Sequence, residues 1–215
     1  MVKIVETLIF DFDGTLVDSR QDIINALNYT LRKLDYPPLP AEVVAGYVGG
    51  GAAALVQEAL GVNSRELNER FLPVFLEIYA GHCTEYTTLY PNVREVLAYY
   101  QAKKLCIVTN KITPITMKIL RHFGISSYFA AVLGPDLVKN SKPHPEPIEK
   151  VLQAVGAKKN TAVMIGDSPI DIEAGKNAGI MTCGAAYGLR PRHELAASGA
   201  DIIIEQLTDL FCYYA

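Results

Sequence analysis

Short, uninterrupted apolar runs recur along the chain. Thr7-Leu8-Ile9-Phe10 stops at Asp11. Similar runs follow as Leu105-Cys106-Ile107-Val108, Ala130-Ala131-Val132-Leu133, Ala162-Val163-Met164-Ile165, Met181-Thr182-Cys183 and Ile202-Ile203-Ile204. Continuous rather than alternating runs predict strands covered on both faces. Between them the period changes. Residues 114–123 place Ile115, Ile119 and Phe123 at intervals of four, behind the helix-start signal Thr113-Pro114. Residues 146–155 gather Ile148, Val151, Leu152 and Val155 on one stripe. Strand and helix alternate from about residue 91 to the end, which predicts an α/β fold with a doubly wound, Rossmann-like parallel sheet.

The first strand breaks this rhythm. Residues 12–108 lie between Asp11 and Thr109, far more than the ~30 that a βαβ unit needs. Residues 20–82 read as wholly helical. Ile23, Ile24, Leu27, Leu31 and Leu34 form one apolar stripe, and Leu67, Phe71, Val74, Phe75 and Ile78 form another. The expectation is a helical domain at 18–82 inserted into a core made of 1–17 and 83–215.

Composition narrows the function classes. Half of the 215 residues are hydrophobic and 20% are charged, enough for a sizeable core and too few charges for disorder. The net charge of −3 comes without any basic stripe, which argues against a nucleic-acid partner. No apolar stretch approaches the ~20 residues of a membrane span. Cys83, Cys106, Cys183 and Cys212 lie far apart with no metal-ligand or disulfide spacing. Together with a start that lacks a signal-peptide pattern, these absences predict a cytoplasmic protein, monomer or homodimer, acting on a small molecule.

The candidate chemistry sits at the strand ends, where open α/β sheets bind their ligands. The first strand runs into Asp11-Phe12-Asp13-Gly14-Thr15, the next core strand into Thr109-Asn110, and the fourth into Gly166-Asp167-Ser168-Pro169-Ile170-Asp171. Lys142 follows the third. Converging carboxylates repel one another, and burial sharpens the conflict; a divalent cation relieves it, and oxygen-only ligands favour Mg²⁺. In a straight strand Asp11 and Asp13 would share a face, so that one attacks phosphorus while the other handles the leaving group's proton. Gly14 permits a tight turn beside them. Thr109 and Lys142 offer a hydroxyl and a point charge to phosphoryl oxygens. Asp171 fits two roles equally, a capping box with Ser168 or support behind the metal site.

The series D-F-D-G-T-L, T-N, a Lys before Pro, and G-D-S-P-x-D resembles the haloacid dehalogenase superfamily over essentially the whole chain. In that family an Asp two places after the nucleophile marks phosphate-processing members, so Asp13 argues against carbon–halogen chemistry. The resemblance implies that Asp11 is the nucleophile and forms an aspartyl-phosphate, with Asp13 as general acid and base. It implies Mg²⁺ held by the Asp11 carboxylate, the Asp13 main-chain carbonyl and Asp167, and a phosphoryl group held by Thr109, Asn110 and Lys142. The helical insertion resembles the family's first type of cap domain. L-V-D-S, V-G-G-G at 48–51, V-T-N-K at 108–111, K-P-H-P-x-P at 142–147 and A-A-Y-G-L at 185–189 are similar to the phosphoglycolate phosphatases. Gly49, Gly50 and Gly51 fit either a helix-entry turn or a backbone nest for a substrate carboxylate. A pyrophosphatase, a sugar-phosphate phosphatase or a phosphomutase would carry the same motifs. A non-catalytic binding module would be expected to have lost Asp11, Asp13 or Lys142, and all three are present.

Overall fold

The computed structural model describes residues 2–61 and 65–215, with the backbone alone at 65–68. The side chain of Leu67, placed on an apolar stripe above, thus lies outside the described residues. In chain order the elements are β1 (Thr7–Phe10), β2 (Val17–Asp18), α1 (Arg20–Lys33), α2 (Ala41–Gly46), α3 (Ala52–Leu60), α4 (Arg65–His82) and β3 (Thr88–Leu89). They continue as α5 (Val93–Tyr99), β4 (Lys104–Val108), α6 (Thr113–His122), β5 (Phe129–Leu133), α7 (Glu146–Ala154), β6 (Ala162–Gly166), α8 (Pro169–Ala178), β7 (Met181–Ala185), α9 (Arg192–Ala197), β8 (Ile202–Ile204) and α10 (Leu210–Tyr213). The chain forms two compact units: one comprises the residues up to Val17 together with Leu89–Ala215, the other Asp18–Thr88.

The first unit carries a six-stranded sheet in the order β5-β4-β1-β6-β7-β8, with every pair parallel. All six apolar runs identified above are strands of this sheet. β1 lies between β4 and β6, in register from Thr7 opposite Lys104 and Ala162. Its four residues are buried, as continuous apolar strands must be when both faces are covered. On one face Ile9, Cys106, Val108 and Met164 pack with Ile148, Val151 and Leu152 of α7 and with Ala174 and Ala178 of α8. Burying one such aliphatic side chain stabilises by roughly 1.5–3 kcal/mol, so this cluster is a principal source of cohesion for the sheet. The expectation of two covered faces fails for β5, whose residues are half-buried or exposed. β5 is an edge strand, and its short run of small residues reads from sequence like an interior one.

This topology sets the chemistry. The chain leaves β1, returns at β4 on one side, steps outward to β5 and then crosses to β6 on the other side. The carboxyl ends of β4, β1 and β6 are therefore neighbours, flanking the point where the strand order reverses.

The second unit is built mainly from α1–α4. α1 buries Ile23, Ile24, Leu27 and Leu31, while α4 buries Phe71, Phe75 and Tyr79 at intervals of four. Tyr36 meets Phe71 edge-on, with ring centroids 4.9 Å apart. The stretch is not helical throughout, because a loop joins α1 to α2 and Asn28 holds it by accepting from the Leu39 N–H at 2.8 Å and donating to its carbonyl at 3.0 Å. The unit also extends past α4 to Thr88. Asp22 ties that end to α1: its buried carboxylate accepts from the backbone N–H groups of Tyr86 and Thr87, both at 2.9 Å, and from the Thr87 hydroxyl at 2.7 Å. Among the described residues, no helix is long and apolar enough to cross a membrane.

Candidate active site

β1 ends at Phe10, so Asp11, Phe12 and Asp13 lie on the loop beyond it rather than on a straight strand. The Asp11 N–H still donates to the Ile165 carbonyl at 2.8 Å, which anchors Asp11 to β6. The chain then folds back, with Leu16 N–H on the Phe12 carbonyl at 2.9 Å and Gly14 N–H on the Val17 carbonyl at 2.9 Å. The period-two argument for a shared face thus does not apply here. The two carboxylates instead receive separate cations: Lys142 Nζ lies 2.8 Å from Asp11 Oδ1, and Lys111 Nζ lies 2.5 Å from Asp13 Oδ1.

Lys142 is held from two sides, because its ammonium also lies 2.6 Å from Asp171 Oδ1. Burial alone would lower the pKa of that ammonium, but the Asp11 and Asp171 carboxylates outweigh it and push the pKa above the usual lysine range. The other Asp171 oxygen accepts from the Ser168 N–H at 3.0 Å and the Ser168 hydroxyl at 2.7 Å, closing the start of α8. Asp171 therefore caps a helix and positions the lysine with one carboxylate. Gly166 makes room for it, since a Cβ there would collide with the Asp171 side chain.

Asp167, at the end of β6, is 2% exposed and accepts from the Leu189 N–H at 2.7 Å and from the Thr15 hydroxyl at 3.4 Å. Gly14, at φ +87°, and Gly188 both press on it, and a Cβ at either would clash with its carboxylate. Gly14 therefore serves close approach as well as the turn. Thr109 is buried and its Oγ1 accepts from the Lys111 N–H at 3.0 Å. The Asn110 side-chain amide donates to the Lys142 carbonyl at 3.2 Å, fixing the backbone that carries the lysine.

One oxygen from each of Asp11, Asp167 and Asp171 lies within 4.8 Å of the others. Burial, then Asp171, raises the Asp11 carboxyl to about 7, against the pull of Lys142. Burial, followed by Asp171 and Asp11, likewise drives the Asp167 carboxyl well above the usual range. Three buried carboxylates this close share one ammonium, that of Lys142, and the negative charge left over on oxygen-only donors fits a hard divalent cation.

Sequence reasoning missed four contributors. Gly188 and Leu189 fell in the A-A-Y-G-L segment without a role. Tyr187 of the same segment donates its hydroxyl to the Thr15 carbonyl at 2.9 Å. Lys111 stood next to Thr109-Asn110, yet a lone lysine after a strand gives no sign of burial. Gly49, Gly50 and Gly51 lie in the other unit, where Gly51, at φ +89°, is the residue that enters α3.

The family model described as haloacid dehalogenase-like hydrolase matches residues 8–185. A phosphoglycolate phosphatase of Aquifex aeolicus is 36% identical over 186 residues, covering 86% of each chain. One from Psychrobacter arcticus is 39% identical over 193 residues, covering 85% of this chain and 84% of its own. A crystal structure titled as a predicted phosphoglycolate phosphatase from Haemophilus somnus superposes with a TM-score of 0.89 at 30% identity, covering 97% of both chains. The parallel sheet, the carboxylates gathered at its switch point and these matches agree, and the chain belongs to the haloacid dehalogenase-like hydrolases.

Proposed function

We propose that this chain is a phosphatase that hydrolyses a small phosphate monoester through a covalent intermediate on Asp11, with 2-phosphoglycolate as the substrate. The observation that carries the reading is the buried Lys142 ammonium set between Asp11 and Asp171 beside the Asp167 carboxylate. It keeps a carboxylate poised where a phosphoryl group can be approached, and holds a positive charge for that group's oxygens. The names of the relatives from Aquifex aeolicus and Psychrobacter arcticus favour the same substrate.

An Asp11 oxygen attacks phosphorus as the bond from phosphorus to the ester oxygen breaks. The electron pair leaves with that oxygen, which takes a proton from Asp13. A water then attacks phosphorus, Asp13 takes its proton, and phosphate departs with Asp11 restored. Thr109, Asn110 and Lys142 hold the phosphoryl oxygens throughout. The Asp11 carboxylate, the Asp13 main-chain carbonyl and Asp167 would hold Mg²⁺, which supplies positive charge to the phosphoryl group when bound. The helical unit Asp18–Thr88 is the inserted segment that would serve as the cap.

Phosphate release from a panel of esters tests this, with 2-phosphoglycolate, sugar phosphates, a sugar bisphosphate and pyrophosphate each assayed with Mg²⁺ or EDTA. The expected profile is metal-dependent turnover with 2-phosphoglycolate far ahead. A leading sugar phosphate or pyrophosphate would refute the substrate, and equal turnover in EDTA would refute the metal.

A further inference from the structure

We propose that Lys111 selects the alcohol half of the substrate by holding a carboxylate on the carbon that bears the ester oxygen. This deepens the phosphatase reading above and rests on it.

Two lysines are buried in the sheet unit, Lys142 and Lys111. Removing an ammonium from water costs several kcal/mol, so each needs a reason to be inside. Lys142 serves the nucleophile and the phosphoryl group. Lys111 stands at the other end of the reacting bond, because its Nζ lies 2.5 Å from Oδ1 of Asp13, the residue that meets the leaving oxygen. A general acid touches that oxygen at ~2.6–3.2 Å. Counting across the Asp13 carboxylate, the ammonium is therefore held within ~8 Å of the ester oxygen. A carboxylate one carbon from the ester oxygen falls inside that reach. Lysine has three donor hydrogens, and a second anion can share the ammonium with Asp13.

The position is built rather than incidental. The Lys111 N–H donates to Thr109 Oγ1 at 3.0 Å, and the ammonium sits 5.8 Å from the centroid of the Phe12 ring. Behind it, Gly134 leaves no space for a side chain: a Cβ there would lie 2.5 Å from the Lys111 carbonyl oxygen and 2.6 Å from the Thr113 nitrogen. The lysine backbone is thereby pinned between the end of β4 and the end of β5. A neutral alcohol would make no use of a buried ammonium placed there, whereas a carboxylated alcohol gains a charge-assisted contact.

The test compares 2-phosphoglycolate with ethyl phosphate, which has the same two-carbon skeleton without the carboxylate. Both kcat and KM are measured with Mg²⁺ for the full chain, Lys111→Met, Lys111→Gln and Lys111→Arg, each checked by thermal unfolding. The unaltered protein should prefer 2-phosphoglycolate. Lys111→Met and Lys111→Gln should lose ~100-fold in kcat/KM on that ester, mainly through KM. That loss should exceed their loss on ethyl phosphate by at least ~10-fold, and Lys111→Arg should keep part of the preference. Equal losses on both esters in a folded variant would mean that Lys111 only positions Asp13, and would overturn the inference. So would an undiminished preference in Lys111→Gln. An unaltered protein that turns over both esters without preference would refute the substrate class, and with it this inference. One that turns over neither, nor any other phosphate ester, would refute the phosphatase reading itself.

Discussion

Asp171 is the residue whose two oxygens do two jobs, one holding Lys142 at 2.6 Å and the other holding the start of α8 through Ser168. Removing the carboxylate should cost both. Asp171→Ala is expected to lower kcat at least ~100-fold, as loss of a fixed charge next to a developing one does. It should also destabilise the chain by about 2 kcal/mol through the Ser168 donors and a partly unpaired ammonium. Steady-state kinetics and urea unfolding check the two effects separately. A variant that loses stability but keeps kcat would confine Asp171 to capping. The sequence made the capping box legible, because Ser168 and Asp171 are three residues apart. It could not show the lysine contact, since Lys142 lies on a separate loop that only the crossing from β5 to β6 brings near. Lys111 escaped for the same reason: its partner Asp13 is distant in sequence, and nothing local marks a lysine as buried.

At the scale of elements, the strands were the most readable part. β1, β4 and β6 are short apolar runs buried on both faces, so pattern and structure coincide there. β5 was found but not recognised as an edge, since edge and interior strands differ by what lies beside them and not by their own residues. The helical unit was legible as a break in rhythm, while its end was not. The segment up to Thr88 is tied to it by Asp22, in the first turn of α1, which gathers three donors from Tyr86 and Thr87. Asp22→Ala should orphan those donors and cost about 2–4 kcal/mol in chemical denaturation. Asp22→Asn, which keeps an acceptor, should cost less. A loss below ~1 kcal/mol in Asp22→Ala would show that other contacts hold the segment.

For the whole molecule, the crowded carboxylates should make stability depend on pH and, under the proposed function, on a divalent cation. Burial, then Asp171, raises Asp11 from its ordinary value of 3.8 to about 7. A group raised on folding binds its proton more tightly in the folded chain. Its contribution to stability is therefore full below about pH 4 and lost as pH rises through about 7. Metal-free protein should melt at a lower temperature at about pH 8 than at about pH 5. Mg²⁺, which binds the ionised form, should raise the melting temperature more at the higher pH. Scanning fluorimetry with Mg²⁺ or EDTA at both pH values reads this, and an equal gain at the two would count against a cation at these carboxylates.

The central claim is that Asp11 is the atom-donating nucleophile, and the most direct measurement is to catch the phosphoryl group on it. Full-length protein with Mg²⁺ would be mixed with 2-phosphoglycolate, quenched in acid within milliseconds and digested, and the phosphorylated peptide located by mass spectrometry. The account predicts an acid-stable, hydroxylamine-sensitive phosphoryl group on the peptide containing Asp11, absent in Asp11→Asn. A phosphoryl group on another residue, or undiminished turnover by Asp11→Asn, would contradict it.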